Sequence, residues 1–501
     1  MGPSKTAPTT LTRKAVIGTG WSAAAMAGRQ LLSVVFVGIL GRLLGPEAYG
    51  VVGMAAIVTN FLINFRDLGT GAAIIQRKEV SGRFLSTLFW MNMTLGATLT
   101  LIAIVSSWPA AAFFSQPRVA SVLQVLGFSF FIASLGIVPD SLLRRESLFQ
   151  YLAVSDLAGA IFGYAIGVTC AFRGLGVWSL VIASLTGVVV STSLNFRFAR
   201  WHPKLTFDWG DLRSVRAFST HLTVFAVFNY IARNADNLIV GRVLGTGPLG
   251  QYQMAYSLMM FPLQNISSVI AQAQFPSFAR IQDDLPRFRD AWLRSCRLVS
   301  LITFPVVAGL AVVADPLVRT MLGPKWIPVV GLFRILAPVG MIQSVVGLVG
   351  IVHVARGRTG IAVWIGLMAA VVTLTAFLIG VHWGVTGVAT AYLIASLIIA
   401  PVSFLIALHR IKLPVATAIV SLTPVFLTTM AMVVTTGAVM LLISGPAPVR
   451  LVLGVGTGVL TYFAVLRGTR PAVVSDVVTA ADQLGRPSIS RAVRLVFGSA
   501  A

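Results

Sequence analysis

Charged side chains are scarce in this sequence. Only 11% of the 501 residues are charged, 56% are hydrophobic, and the mean hydropathy is +0.88. Soluble domains average about 25% charged residues, so a chain this poor in charge cannot cover itself with polar surface. The deficit excludes a soluble globular protein and predicts an all-α polytopic membrane protein in contact with the lipid bilayer.

Residues that commonly hold metals or carry catalysis are also few. The five histidines are dispersed without metal-ligand spacing, and Cys170 and Cys296 are expected near opposite membrane faces, without a disulfide. The sequence contains neither a glycine-rich loop ending in Lys-Ser/Thr nor a nucleophile–base arrangement. We therefore expect no cofactor, no metal and no enzymatic activity.

Acidic residues are the rarer charges, with 15 Asp and Glu against 38 Lys and Arg and a formal charge of +23. Such an excess could suit nucleic acid, but most of the basic residues fall in short loops between apolar runs. Cytoplasmic loops of membrane proteins carry this excess. The pattern predicts cytoplasmic N- and C-termini and no nucleic-acid partner. The expected inner segments are Arg77–Arg83, Arg197–Arg216, Arg280–Arg297 and the tail from Arg467.

At about 20 residues per crossing, the apolar runs predict about fourteen transmembrane helices. An even number is required if the loops are to keep their charge alternation. The approximate limits are 16–40, 48–66, 84–108, 119–139, 152–172, 176–196, 217–240, 249–272, 298–314, 329–352, 360–381, 384–408, 414–443 and 449–467.

One segment of the chain occurs twice. The sequence GRLLGPEAYGVVGMA (Gly41–Ala55) aligns without gaps to GRVLGTGPLGQYQMA (Gly241–Ala255), about 200 residues later. The first copy begins with span one and the second with span seven, so both copies have the same orientation. We expect two six-helix lobes in a parallel pseudo-two-fold repeat, followed by two extra C-terminal helices.

This repeat predicts the domain organisation. A disordered cytoplasmic N-terminus precedes the first lobe, a cytoplasmic linker joins the lobes, and a cytoplasmic tail follows the last span. The predicted ranges are 1–14 (N-terminus), 15–196 (N-lobe), 197–216 (linker), 217–409 (C-lobe), 410–467 (spans thirteen and fourteen) and 468–501 (tail).

Span seven carries polar residues at helical spacing. Asn229, Arg233, Asp236 and Asn237 share one face of an otherwise apolar helix. An Arg or Asp at mid-bilayer costs roughly 2.5–3.5 kcal/mol on an insertion scale, so this face must meet water or a partner. Arg29 lies on the equivalent helix of the first lobe, about one turn from the position that matches Arg233.

Span two and its counterpart, span eight, add further polar groups to a predicted central cavity that binds substrate. Asn64 in the first lobe matches Gln264 in the second, and Tyr252 and Tyr256 also lie on span eight. An alternative is that Arg233 pairs with Asp236 to staple helices, while Arg29 snorkels to the interface. Arg66 and Asp67 at the end of span two, with Asp236, are candidates for a gate or coupling site.

Two further features have structural interpretations. Gly159, Gly163 and Gly167 form a stripe of small residues on span five, which predicts close packing against a neighbouring helix. Arg334 lies near the outer end of span ten, where we expect its side chain to snorkel.

As an ensemble, several segments carry a resemblance over roughly residues 15–410. They are GRLLGPEAYG, FRDLGTGAAIIQRK, STLFWMN, GIVPDSLLRR, GLGVWSLV, RNADNLIVGRVLG, PLQNISSVI and LGPKW. The chain resembles the bacterial polysaccharide exporters, the Wzx-type flippases of lipid-linked oligosaccharides within the MOP (multidrug/oligosaccharidyl-lipid/polysaccharide) superfamily.

The resemblance implies a MATE/MurJ-like V shape, alternating access, and location in the bacterial cytoplasmic (inner) membrane. It implies a substrate of undecaprenyl pyrophosphate bearing an oligosaccharide repeat unit, bound by Arg29 and Arg233, for export of exopolysaccharide, capsule or O-antigen. Polysaccharide polymerase or co-polymerase proteins are implied partners, and the chain itself is expected to be a monomer. The alternatives are a MATE-like cation or drug antiporter and a non-transporting scaffold of a glycan-synthesis complex.

Overall fold

The computed structural model describes residues 7–66, 69–210, 230, 233–267, 274, 276–357 and 359–469. Regular structure in these ranges is helical, without β-strands, which confirms the predicted fold class. We number the α-helices in chain order. They are α1 (Ala7–Leu44), α2 (Pro46–Ile63), α3 (Thr70–Gln76), α4 (Gly82–Phe114), α5 (Arg118–Leu135), α6 (Ile137–Arg145), α7 (Phe149–Phe172), α8 (Trp178–Ala199), α9 (Ala235–Leu244), α10 (Thr246–Pro262), α11 (Leu285–Val312), α12 (Ala314–Met321), α13 (Pro328–Val346), α14 (Val349–Ala355), α15 (Thr359–Gly380), α16 (Gly384–Arg410), α17 (Val415–Leu442) and α18 (Ala447–Thr469).

By length and composition, 11 helical segments of the described chain could cross a membrane. One of them, Gly360–Arg410, has 51 residues, about twice the length of a single crossing. It is interrupted by a 3₁₀ turn at Val381–Trp383 and by Gly384 at φ 73°, which separate α15 from α16. Predicted span seven lies mostly outside the described residues, and the first part of predicted span eight coincides with the 17-residue α10. The count of fourteen therefore stays a prediction.

The structure describes part of the predicted N-terminal segment but almost none of the predicted C-terminal tail. Helix α1 begins at Ala7, so it reaches into residues 7–14, which we expected to be disordered. Pro8 fits the first turn of a helix, because the amide hydrogen it lacks would have no intrahelical partner there. Residues 1–6 and 470–501, which include most of the predicted tail, lie outside the described residues.

Contacts divide the chain into two compact units, Met1–Gly250 (unit 1) and Gln251–Ala501 (unit 2). Helix α9 contacts α2 and α4 within unit 1. The sequence repeat, by contrast, predicts that span seven opens the second lobe. The end of this span is therefore held by helices of the first half of the chain.

The most extensive helix pair of unit 1 is α7 with α8. A Cβ atom on Gly159 would lie 2.7 Å from the carbonyl oxygen of Gly187, and one on Gly163 would lie 2.6 Å from that of Ala183. Gly167 is equally close to Ala183, with a Cβ separation of 2.7 Å. The structure confirms the predicted role of this glycine stripe, since any side chain there would push α8 away.

The duplicated segment has the same local structure in both copies. Helix α1 ends at Leu44, Gly45 adopts φ 80°, and α2 begins at Pro46. Helix α9 ends at Leu244, Gly245 adopts φ 86°, and α10 begins at Thr246. A positive φ is accessible to glycine without steric cost, so one glycine makes the helix break in each copy. The sequence repeat is thus a structural repeat as well.

The core of unit 2 lies around α11, where Phe288, Trp292 and Val299 are fully or almost fully buried. Two polar contacts attach the last two helices to α11. The Tyr462 hydroxyl donates to the Leu301 carbonyl at 2.7 Å, and the guanidinium of Arg297 donates to the Ser421 hydroxyl at 2.9 Å. These bonds position α17 and α18 against α11.

Candidate functional site

Arg29 has an acidic neighbour that the sequence did not reveal. Its side chain is exposed on α1, and it interacts electrostatically with Asp156 of α7. Helices α1 and α7 pack along their length, with Phe36 and Tyr164 stacked at 4.0 Å between ring centroids. Asp156 is also exposed, and it interacts electrostatically with Asp140 and Arg144. Arg29 therefore lies near a group of charged residues on unit 1, Asp156, Asp140 and Arg144.

The described part of span seven divides its polar residues between two environments. The Arg233 side chain is exposed. Asp236 is buried in the first turn of α9, where its carboxylate accepts the Asn237 backbone N–H at 2.7 Å. Carboxylates are stabilised at helix N-termini by the unpaired amides and the helix dipole. Arg233 is thus presented outward, and Asp236 lies behind it. Asn229 lies outside the described residues.

Another polar atom of α9 is buried without a partner. The side-chain oxygen of Asn237 has no hydrogen bond to any described residue. Just before α9, the Tyr230 hydroxyl donates to the Ile57 carbonyl at 2.7 Å and so ties span seven to α2. This hydrogen bond could not be predicted from the sequence, because Tyr230 and Ile57 are far apart in the chain.

At the end of α2, Asn64 is exposed, and its amide donates to the Asn60 and Phe61 carbonyls at 3.0 and 3.1 Å. Arg66 follows in the bend, where it is half-buried. Asp67 lies outside the described residues. The polar end of α2 therefore remains on the surface of unit 1, at the position proposed for a gate.

In unit 2, the predicted tyrosines of α10 extend into a longer aromatic ladder. The Tyr252 and Tyr256 rings stack at 6.1 Å between centroids, and Tyr256 stacks on Tyr392 of α16 at 6.4 Å. The Gln343 amide donates to the Tyr392 hydroxyl. Tyr392 and Gln343 were not among the predicted site residues, because only tertiary packing brings them next to span eight.

Gln264 lies on irregular backbone. After Pro262 the chain continues as a π-helical turn, Leu263–Ser267, in which Gln264 is exposed. The Asn265 amide donates to the Phe261 carbonyl at 2.7 Å. Single π-turns occur frequently at functional sites, since they redirect side chains that a regular helix would hold in register. This turn changes the direction in which Gln264 points relative to the two tyrosines.

Three of the resemblance segments converge at one corner of unit 1. The Thr70 hydroxyl, at the start of α3, donates to the Asn92 side-chain oxygen at 3.1 Å, and both residues are fully buried. The guanidinium of Arg145 donates to three backbone carbonyls at the end of α3, those of Ile74, Arg77 and Lys78. One arginine thus satisfies the last carbonyls of α3 and fixes this helix against α6.

The beginning of the predicted linker is bound to the same corner. The backbone N–H groups of Lys204 and Asp208 donate to the hydroxyls of Ser86 and Thr87, each at 3.1 Å. The Trp90 indole donates to the Lys204 carbonyl at 2.9 Å. Residues 201–209, which we call the strap, therefore lie along α4 and are fixed by four of its side chains, since Arg83 also pairs with Asp208 at 3.2 Å.

Unit 2 contains two notable cavities beside α17. An apolar cavity of 370 Å³ is lined by α11, α17 and α18, with Thr436 and Tyr462 among its few polar residues. A second, of 540 Å³, is lined by α11, α13 and α17 and carries charged residues at one end. No group of three or more His, Cys, Asp or Glu residues that could hold a metal ion occurs in the described ranges.

Eleven helical segments of membrane length among the described residues, and a repeated helix break, indicate a multi-pass membrane protein. The chain belongs to the family described as "Polysaccharide biosynthesis protein", whose model matches residues 39–331, more than half of the chain. This result confirms the predicted family.

Curated relatives agree with the family. The chain is 26% identical over 376 residues to "Lipopolysaccharide biosynthesis protein WzxC" of Escherichia coli (strain K12), covering 74% of this chain and 76% of WzxC. It is 26% identical to "Teichuronic acid biosynthesis protein TuaB" of Bacillus subtilis (strain 168), with coverages of 74% and 79%. It is also 26% identical to "Succinoglycan biosynthesis transport protein ExoT" of Rhizobium meliloti (strain 1021), with coverages of 66% and 67%.

Solved structures establish the fold. The inward closed conformation of the lipid II flippase MurJ superposes with a TM-score of 0.69 at 13% identity, covering 89% of this chain and 97% of MurJ. An inward-facing MATE family multidrug resistance transporter of the MOP superfamily gives a TM-score of 0.61 at 18% identity, covering 77% of this chain and 94% of that transporter. The chain therefore has the fold of MOP-superfamily transporters.

Proposed function

We propose that the protein is a flippase that moves a polyprenyl-pyrophosphate-linked oligosaccharide from the cytoplasmic to the outer leaflet by alternating access. The carrier is expected to be undecaprenyl pyrophosphate. The relatives' names, which refer to lipopolysaccharide, teichuronic acid and succinoglycan, support a lipid-linked glycan as the class of substrate.

The observation that carries the proposal is the exposure of Arg29 on the membrane-length helix α1 and of Arg233 just before α9. A guanidinium offers paired donors that match a phosphate, and two of them can neutralise a pyrophosphate. Asp156 interacts with Arg29 and would compete with the substrate for it, which would favour release once the headgroup has crossed. Asn64, Gln264, Tyr256, Asn229 and Asn237 would contribute hydrogen bonds to phosphate or sugar. Tyr252, which was also predicted to bind substrate, is fully buried and would support the Tyr256 ring instead.

The membrane potential supplies a driving force. Moving one charge across 100 mV is worth about 2.3 kcal/mol, so a dianion leaving an inside-negative cell gains up to roughly twice that amount. Arg66, Asp67 and Asp236 remain proposed gate or coupling residues. The proposed orientation, with both termini in the cytoplasm, follows from the distribution of Lys and Arg.

Flipping should be measured in vesicles that contain the purified protein and a lipid-linked oligosaccharide. Arg29→Ala and Arg233→Ala should each reduce the initial rate more than tenfold, and Arg29→Lys should retain part of it. Arg173→Ala is the matched control, because Arg173 is an exposed residue that caps the end of α7. Near-normal flipping by both alanine variants would reject the proposed site.

Two further measurements separate the competing functions. Collapse of the membrane potential should slow flipping, and an unchanged rate would reject potential as the driving force. In cells that lack the protein, lipid-linked intermediate should accumulate on the inner leaflet. An unchanged lipid pool would favour a scaffold, and drug hypersensitivity without a glycan defect would favour a drug antiporter.

A further inference from the structure

Two arginines and one aspartate line one end of the 540 Å³ cavity of unit 2. Arg334 of α13 and Arg450 of α18 line this cavity, as does Asp315 of α12. The remaining lining residues are apolar and come from α11, α12, α13 and α17. The charged end lies beyond Val312, the last residue of α11, and is therefore opposite the basic segment Arg280–Arg297 at its beginning. Basic residues are disfavoured at this membrane face, which the positive-inside rule makes external.

The charges at this end are unbalanced. Asp315 pairs with Arg319 at 2.7 Å and with Arg450 at 3.6 Å. Arg334 donates to the Ala311 carbonyl at 3.3 Å and forms no ion pair with an acidic residue of the described chain. Two guanidinium groups therefore share one carboxylate and the third has only a carbonyl partner among these contacts, which leaves an excess of positive charge around the cavity.

One of these guanidinium groups also has an unused donor. The Arg450 side chain is only 27% exposed, and its Nε is buried without a hydrogen-bond partner among the described residues. Its other nitrogens reach Asp315 and the Met440 carbonyl. A buried donor without an acceptor is unfavourable, and a phosphate oxygen beside Arg450 would supply the acceptor that its Nε lacks.

The 540 Å³ cavity next to Arg334 and Arg450 is open to the bilayer. Leu441 lines it and is 89% exposed, and the neighbouring Leu442 is 82% exposed. Since both leucines end α17, the entrance is at the level of the lipid headgroups. A volume of 540 Å³ falls in the range of about 300–1,000 Å³ for small-molecule sites, which suits part of one acyl chain better than a long polyprenyl chain.

We propose that this cavity binds an anionic phospholipid of the outer leaflet, with its phosphate between Arg334 and Arg450 and one acyl chain in the apolar interior. The proposal does not depend on the transported substrate. The 370 Å³ cavity on the neighbouring surface of α17 provides an internal comparison, because no charged residue lines it.

Thermal unfolding of the purified full-length protein in detergent tests the site. Phosphatidylglycerol should raise the Tm, and phosphatidylcholine with the same acyl chains should not. Arg334→Gln and Arg450→Gln should each weaken apparent phosphatidylglycerol binding by about tenfold, the size expected for one charge-assisted contact. Lys325→Gln removes an exposed charge from the same unit without altering the cavity lining, so it should leave binding unchanged.

A second pair of variants tests the acyl-chain pocket without changing charge. Gly437 lines the cavity, and a Cβ atom there would have no neighbour within 4 Å, so Gly437→Leu should fill space and displace the chain. Gly456→Leu on α18 is equally free of clashes but is not in either cavity lining, and should leave binding intact.

The arms of the experiment distinguish other ligands. A similar Tm increase with phosphatidylcholine, or retention of the effect in both arginine variants, would overturn the proposal. So would stabilisation by undecaprenyl phosphate or by inorganic pyrophosphate alone without any effect of phosphatidylglycerol, since the site would then belong to the substrate lipid or to a free anion.

Discussion

Gly50 of α2 packs so closely on Thr246 that a Cβ atom at position 50 would lie 1.9 Å from the Thr246 carbonyl oxygen. The reciprocal contact exists as well, because a Cβ atom on Gly250 would lie 2.0 Å from the Pro46 carbonyl oxygen. Positions 46 and 50 align with 246 and 250 in the repeat. The two copies of the segment therefore meet through the same surface, which is the geometry of a local two-fold contact.

Alanine at either glycine should separate the two segments. We expect Gly50→Ala and Gly250→Ala each to lower the free energy of unfolding by about 1–3 kcal/mol or more, since the added methyl group would overlap backbone atoms. Unfolding titrations in mixed micelles would measure this change. Gly247→Ala is the control, because its nearest neighbour is the Glu47 Cγ at 4.0 Å. Equal stability of all three variants would contradict the contact.

We expect Arg145 to contribute more to the stability of the fold than its neighbour Arg144. Arg145→Met removes the donor for three carbonyls at the end of α3 and should destabilise the protein by about 2 kcal/mol or more. Arg144→Met removes only a half-exposed pair with Asp140 at 2.6 Å and should cost about 1 kcal/mol or less. Thermal unfolding of the purified variants would compare them, and a larger effect at position 144 would refute this ranking.

The strap should be released when its acceptors are removed. The double variant Ser86→Ala/Thr87→Val loses the hydroxyls that accept from Lys204 and Asp208, so trypsin should cleave after Arg200 or Lys204 several-fold faster than in the parent. Thr94→Val/Thr98→Val is the matched control on α4, since those hydroxyls bond within their own helix. Cleavage that is equally fast in both double variants would show that the strap is not held by these bonds.

Two variants of Tyr392, the last ring of the aromatic ladder, distinguish the contribution of ring packing from that of hydrogen bonding. Tyr392→Phe keeps the stack on Tyr256 and loses the bond from Gln343, so it should cost about 1 kcal/mol of stability. Tyr392→Ala removes the ring and should cost about 3 kcal/mol. Chemical unfolding would determine both values. If the phenylalanine variant were as unstable as the alanine variant, the hydrogen bond rather than the stack would hold α16 near α10.

Several features of the fold could be predicted from the sequence because they repeat or follow helical periodicity. The duplicated segment Gly41–Ala55 predicted a structural repeat, and both copies form the same helix–glycine–helix break. The stripe of Gly159, Gly163 and Gly167 predicted close helix packing, which occurs against α8. Both signals are local, since each lies in one helix or one short segment.

The arrangement of polar groups was less predictable, because it depends on contacts between distant segments. The interaction of Asp156 with Arg29 and that of Gln343 with Tyr392 join helices whose sequences show no matching pattern. Helical periodicity placed Asp236 and Arg233 on one face, yet Asp236 is buried and Arg233 is exposed. Spacing alone does not say where a helix starts, and α9 begins at Ala235, between these two residues.

The hydrogen bonds from Tyr462 and Arg297 have a consequence for the evolution of the last two helices. The Tyr462 side chain is buried, so breaking its bond to the Leu301 carbonyl would leave a polar group unsatisfied. Together with the bond from Arg297 to Ser421, it fixes how α17 and α18 are rotated against α11. The many lipid-facing residues of α17 and α18, such as Val420 and Leu460, need only remain apolar. Substitutions can accumulate there while the pair keeps its attachment, which would let this part of the chain diverge faster than the duplicated part.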